Sequence, residues 1–201
     1  MFGIAVITFP ERLPMEAQAL RLVGQMPAVL ALHLRKPGWS DEATRRLLDE
    51  LPEETRKKIR LHDHFELAGE YGLQGVHLNR RHPRAPQEAC SLSASCHSLE
   101  EVQARKAQCR YVFLSPIFDS VSKQGYASGF SSEELHTAAK DGIIDRKVFA
   151  LGGVRSGHVP FLKEIGFGGA GMIGEIWQGY AERPDTRRLA TTMRNIMKQC
   201  M

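Results

Sequence analysis

A (β/α)8 barrel is the fold this sequence predicts, and three observations predict it. Eight short apolar runs rich in β-branched residues punctuate the chain, a helical pattern follows nearly every one, and a Gly–Gly pair ends the seventh run while a glycine-rich stretch, 166–174, leads through the eighth. Such alternation calls for a parallel sheet with right-handed crossovers. A closed barrel fits the count of eight, and a doubly wound open sheet remains compatible with the pattern alone. The 201 residues show no compositional break, so residues 1–201 are expected to form one domain. Connections must be short, because a complete barrel typically takes about 250 residues.

The elements follow in order. Residues 3–9 form a first strand and 12–26 a helix with Leu, Met and Ala at helical spacing. Residues 29–36 (VLALHLRK) form the second strand, stopped by Pro37 and Gly38; Ser40 and Asp41 cap a helix carrying Leu47, Leu48 and Leu51 on one face before Pro52. A short third strand (59–62) precedes a helix at 64–71 ended by Gly72. The fourth strand (75–79) leads into a Pro-rich basic stretch, 80–86, with room for barely one helical turn, and the fifth strand is 91–96. Ser98 with Glu101 three residues on has capping-box spacing. The sixth strand (111–115) opens a long polar loop, 116–130, before a helix starting at Ser131 or Ser132. Strand 147–151, helix 157–165, strand 169–176 and an amphipathic helix at 186–197 complete the chain.

Charge narrows the function. Lys and Arg total 27 against 23 Asp and Glu, a net +4 spread among acidic residues. That suits a small anionic substrate better than nucleic acid, which needs a concentrated basic stripe, and the run 80–84 is a solvated loop without interleaved aromatics. No apolar run approaches the roughly 20 residues of a membrane span, and no signal-peptide layout opens the sequence. Cys90, Cys96, Cys109 and Cys200 lack CxxC spacing and fit free thiols in a reducing cytoplasm.

In a barrel the active face lies at the strand C-termini. Reading off those ends gives His33 and Arg35, His62 and Asp63, His77 and Asn79, Ser95 and His97, residues 115–123, and the glycines after the last two strands. Glycine-rich turns beside a helix N-terminus present backbone N–H groups to an anion, and Arg35 and Lys123 add a guanidinium and an ammonium, so the site suits phosphorylated ligands. Hydrogen-bonded structural histidines are the simpler reading for His77 and His97. A His33–His62–Asp63 metal site has usable ligand types but no spacing signature, and Asp63 equally suits a helix cap.

The runs LHLRK (32–36), LHDHFELA (61–68), GVHL (75–78), SCHSLEEV (95–102), YVFLSPIFDSVSK (111–123), ALGGV (150–154) and GAGMIGEI (169–176) stand in the order and spacing of one family. The chain resembles the thiamine-phosphate synthases, a family that also includes the TenI-like thiazole tautomerases, over roughly residues 3–178. The resemblance favours the closed barrel over the open sheet. It implies that a pyrimidine diphosphate loses pyrophosphate and that a thiazole phosphate nitrogen captures the resulting carbocation. It further implies that Arg35 holds the diphosphate, Lys123 contacts the departing pyrophosphate, Asp63 is one of two aspartates on Mg²⁺, and Ser95 lies near the pyrimidine. Ser120 and Ser122 stand for the family's threonines, and Gly152, Gly153, Ile173 and Gly174 match the thiazole phosphate cup.

Departures accompany the matches. Pro37 replaces a family lysine, and Lys36 should point to the opposite side of the strand. The second magnesium aspartate aligns with residues 79–82, which hold no carboxylate. His33 stands for a glutamine and His62 for an asparagine, which adds two imidazoles able to exchange protons near neutral pH. A tautomerase histidine is replaced by Pro116. The first expectation is thus a synthase acting on small phosphorylated pyrimidine and thiazole substrates, with Mg²⁺ on Asp63. The alternatives are a thiazole tautomerase or a non-catalytic binder of thiazole phosphate or thiamine phosphate. Nothing in the sequence excludes a homo-oligomer.

Overall fold

Alternation within each strand decides which side chains face inward, and the computed structural model, which describes residues 1–86, 91–118 and 129–201, carries that alternation around a closed ring. The strands are β1 (Gly3–Ile7), β2 (Val29–Leu34), β3 (Ile59–Leu61), β4 (Gly75–Leu78), β5 (Ser91–Cys96), β6 (Tyr111–Leu114), β7 (Val148–Ala150) and β8 (Gly169–Met172). Each pairs in parallel with the next, and β8 pairs with β1. Closure excludes the open sheet.

Outward residues such as Ile4, Leu32, Ile59, Val76, Val112 and Ala170 join one large core beneath the helices. These helices are α1 (Glu16–Gly24), α2 (Asp41–Asp49), α3 (Glu53–Arg56), α4 (Leu67–Glu70), α5 (Leu99–Lys106), α6 (Ser132–Lys140), α7 (Val159–Ile165), α8 (Gly174–Glu182) and α9 (Thr186–Cys200). The inward residues divide by side. Ala5, Ile7, Ala31, Tyr111, Phe113 and Phe149 make an apolar interior cluster, whereas His33, Arg60, His62, His77 and Ser93 are buried polar groups from β2 to β5. Strand β8 supplies glycine where rings need space: a Cβ on Gly169 would lie 2.5 Å from Cε2 of Phe149, and one on Gly171 would lie 2.9 Å from Cε1 of Phe113. These two glycines therefore admit aromatic rings rather than a phosphate.

Several boundaries differ from the sequence expectation for physical reasons. Helix α1 starts at Glu16, not near residue 12, because Pro14 keeps Leu13 out of the helical region. Helix α4 starts at Leu67, since His64 adopts a left-handed φ of 54°. Pro52 ends one helix and opens the unforeseen α3. Residues 173–176, expected in the last strand, turn instead into α8, which lets Ile176 and Trp177 join the core. The final helix runs on to Cys200. Ser98 caps α5, but the Glu101 carboxylate accepts from the N–H of His97 rather than from Ser98. The reciprocal box forms in α6, between Ser131 and Glu134. Residues 80–86 form no helix, and a cavity of about 430 Å³ lined partly by Leu78, Leu92, Ala94 and Arg84 lies on the outside of β4 and β5.

Candidate functional site

The C-terminal rim gathers most of the residues the sequence singled out. Arg35 follows β2, His62 and Asp63 follow β3, Asn79 follows β4, Ser95 lies in β5, Gly152 and Gly153 follow β7, and Ile173 and Gly174 follow β8. Lys123, Ser120 and Ser122 lie outside the described residues, as does Cys90. The other three cysteines are free thiols buried against the core.

Beneath the rim, three histidines make the floor. His33 Nδ1 is 2.9 Å from His62 Nε2, and His33 Nε2 meets the Tyr111 hydroxyl. His77 bridges two serines, with Nδ1 at 2.9 Å from Ser93 Oγ and Nε2 at 2.8 Å from Ser95 Oγ, which agrees with a structural histidine and fixes the Ser95 hydroxyl. The His62 and His77 rings stack at 4.3 Å. Burial holds all three imidazoles neutral: desolvation is the main cause for each, pushing His77 down to about 3, with the Arg60 charge helping at His33 and His77. Desolvation likewise pushes the Tyr111 phenol up, so it keeps its proton. The three histidines offer nitrogens within 4.8 Å of one another, a possible metal ligand set by distance. Both nitrogens of His33, both of His77 and Nε2 of His62 already have protein partners, however, so the geometry is that of a hydrogen-bonded network.

Sequence reasoning missed Arg60, although period-two alternation between outward Ile59 and Leu61 points it inward. Its guanidinium reaches Gln74 Oε1 at 2.8 Å, Ser91 O at 2.8 Å and Ser91 Oγ at 2.6 Å, and lies 5.2 Å from the Tyr111 ring centre.

Two groups of hydrogen-bond donors face each other across the mouth, since β3 and β4 lie opposite β7 and β8 in the ring. On the β2–β4 side, the half-buried Arg35 has no side-chain partner among the described residues, and both Arg35 and Arg81 stand close enough to His62 to lower its proton affinity. Thr8, also missed, pins the Arg35 backbone: its hydroxyl donates to Arg35 O at 3.1 Å and accepts from Arg35 N at 3.0 Å. Lys36 points away as expected, into a buried ion pair with Glu16 and bonds to Phe9 O and Glu11 O. On the β7–β8 side, Gly152 and Gly153 adopt φ of 92° and 60°, and their N–H groups have no partner among the described residues. Helix α8 starts beside them, and Glu175 in its first turn accepts from Ser156 N at 2.6 Å and Ser156 Oγ at 2.5 Å, locking that helix to the loop after β7.

Asp63 does not cap α4, whose N-cap is Glu66. Its carboxylate accepts from Arg81 Nη2, at 3.0 Å from both oxygens, and from His82 Nε2 at 3.0 Å.

A family model for thiamine monophosphate synthase matches residues 7–176. The chain belongs to that family. Among thiamine monophosphate synthase relatives, the thiamine-phosphate synthase of Bacteroides thetaiotaomicron is 26% identical over 167 residues, which are 78% of this chain and 79% of that protein. The crystal structure of thiamine phosphate pyrophosphorylase from Bacteroides thetaiotaomicron superposes with a TM-score of 0.88 at 35% identity, covering 98% of this chain and 97% of that one. A thiamine phosphate pyrophosphorylase from Pyrococcus furiosus, at 20% identity and a TM-score of 0.74 over 100% of this chain and 97% of its own, shares the fold. The family shows a transferase scaffold.

Proposed function

We propose that this protein joins a pyrimidine diphosphate to a thiazole phosphate, giving thiamine phosphate and pyrophosphate. The observation that supports this reading is that two sets of donors share one barrel mouth, Arg35 on one side and on the other a backbone cup of the Gly152 and Gly153 N–H groups, unpartnered among the described residues, with the start of α8. A reaction on one phosphorylated thiazole needs only the cup. In the proposed reaction the bond between the pyrimidine methylene and the diphosphate oxygen breaks, the electron pair leaving with pyrophosphate, and the thiazole nitrogen lone pair forms the new C–N bond. Arg35 stabilises the charge that grows on the leaving group. The floor adds little to the charge of Arg60 below it: His33, His62 and His77 are held neutral and bring no further positive charge beneath the cationic carbon. Ser95, oriented by His77, offers its hydroxyl toward the pyrimidine.

One observation supports a tautomerase as the second reading. The run from Tyr111 through His33 to His62 is a hydrogen-bonded chain able to pass a proton. The test incubates purified protein with pyrimidine diphosphate and thiazole phosphate and follows thiamine phosphate, with Arg35→Ala and a no-enzyme control. Product that is lost in the variant supports the synthase. Absence of product while thiazole phosphate still binds defeats it, and conversion of a thiazole tautomer that disappears in His62→Gln then supports the second reading.

A further inference from the structure

The family metal has a poor seat here. Mg²⁺ takes oxygen ligands and uses one or two carboxylates beside substrate phosphates. Asp63 is the one carboxylate at its expected position, and two nitrogen donors already occupy it. The stretch expected to bring the second carboxylate brings those donors instead. Asn79 builds the turn that does so. Its N–H donates to His82 O and its carbonyl accepts from His82 N, both at 3.1 Å, while its side-chain oxygen accepts from Arg81 N at 2.9 Å and His82 N at 3.2 Å. The side-chain amide of Asn79 donates to His62 O at 2.9 Å and so ties the turn to the end of β3. The residue at the end of β4 thus positions two cationic or donor side chains over Asp63.

Resting on the synthase reading of this half of the site, we infer that Arg81, seated on Asp63 with His82, takes the place of Mg²⁺ in holding the diphosphate. Charge is conserved by the exchange: a divalent ion between two carboxylates and one guanidinium on one carboxylate both sum to zero. Arg81 is suited to the part because a planar guanidinium binds phosphate oxygens in a fixed fork. Its side chain is 50% exposed, and beyond Asp63 its guanidinium has no partner among the described residues. Arg35 follows β2 and Arg81 follows β4, with the end of β3 between them in the ring, so the two guanidinium groups come from either side of the Asp63 strand end. In this arrangement Asp63 is a positioning residue for Arg81 rather than a metal ligand.

The experiment titrates inorganic pyrophosphate into the full chain by calorimetry, in EDTA and again with Mg²⁺, for wild type, Arg81→Ala, Arg81→Lys and Asp63→Asn. The inference expects binding in EDTA that Mg²⁺ changes less than threefold and that weakens at least tenfold in Arg81→Ala. Arg81→Lys should recover only part of the loss. Asp63→Asn, which removes the carboxylate that seats Arg81, should weaken binding in EDTA by less than Arg81→Ala does, whereas the loss of a metal ligand would show only in the buffer with Mg²⁺. Binding that requires Mg²⁺, wild-type affinity in Arg81→Ala, or no pyrophosphate binding in either buffer overturns the inference. Turnover separates it from the synthase reading: metal-dependent product with metal-dependent pyrophosphate binding defeats the inference alone. Metal-free pyrophosphate binding without product defeats the synthase reading alone.

Discussion

His33 Nδ1 and His62 Nε2 stand 2.9 Å apart inside the barrel, and burial keeps both rings uncharged. One ring must donate and the other accept, so their tautomers are coupled through to Tyr111. A proton added to either would sit in an apolar-walled interior beside Arg60.

Acid should therefore unfold this protein earlier than its carboxylates alone dictate. The unfolded histidines take up protons below about pH 6.5, while the folded ones resist, His77 down to about 3. Their contribution is complete above pH 6.5 and is lost as pH falls toward the folded values. Each histidine that resists protonation costs about 1.4 kcal/mol per pH unit in that window. Urea midpoints at pH 7.5, 5.5 and 4.5 check this, and a flat profile from 7.5 to 4.5 would contradict it.

Glu16 and Lys36 form an ion pair whose side chains are 1% and 3% exposed. Burial pushes Glu16 up and Lys36 down, while the pairing opposes both shifts. Glu16→Gln leaves a buried ammonium with neutral acceptors alone and no counter-charge, and should cost about 3–5 kcal/mol. The double variant Glu16→Leu, Lys36→Met should regain much of that in denaturant unfolding; equal loss in both would show that the pair is not the source.

Arg35→Ala should weaken pyrophosphate binding about 10–100-fold, the worth of a charge-assisted hydrogen bond of about 1.5–3 kcal/mol. Thiazole phosphate, which the proposed function places at the cup, should bind unchanged. Calorimetry with each ligand decides, and parallel losses for both would mean that Arg35 does not belong to one half.

Gly152→Ala tests the cup itself. The position has φ of 92°, and an added Cβ would lie 2.9 Å from Cα of Pro116. Strain of about 1–3 kcal/mol is expected in unfolding measurements, together with weaker thiazole phosphate binding and pyrophosphate binding close to wild type. Unaltered thiazole phosphate affinity would remove these N–H groups from the phosphate site.

Much of the architecture was legible because each strand is short, apolar and followed by a stop. Residues 91–96 read as a strand and are one, and Ser40, Ser98 and Ser131 read as caps and are caps. The interior was less legible. Ser93 and Arg60 lie in no quoted motif, and Tyr111 only opens one; what unites the three is the register that sets His33 beside Arg60, His77 beside Ser93 and Ser93 beside Tyr111, which emerges only when the strands pair. Local letters also misled at 173–176, where the apolar run continued past the point at which α8 begins. The pairing of Asp63 with Arg81 and His82 depends on a turn made by Asn79, and a lone Asn gives little warning of the partners it will gather.

The barrel is shut by its most distant parts. Strand β1 needs β8 for its second neighbour, the Trp177 indole donates to Ile7 O at 2.8 Å, the Tyr180 hydroxyl to Pro14 O at 3.0 Å, and Phe2 N to Cys200 O at 3.4 Å. A growing chain emerging from the ribosome therefore cannot complete the ring until residue 172 is out. Until then it carries two bare parallel edges, each a template for a stray strand. Folding of this protein should be slow for its size and crowded with unclosed species, and a chaperone that shields those edges would act on yield rather than on final stability.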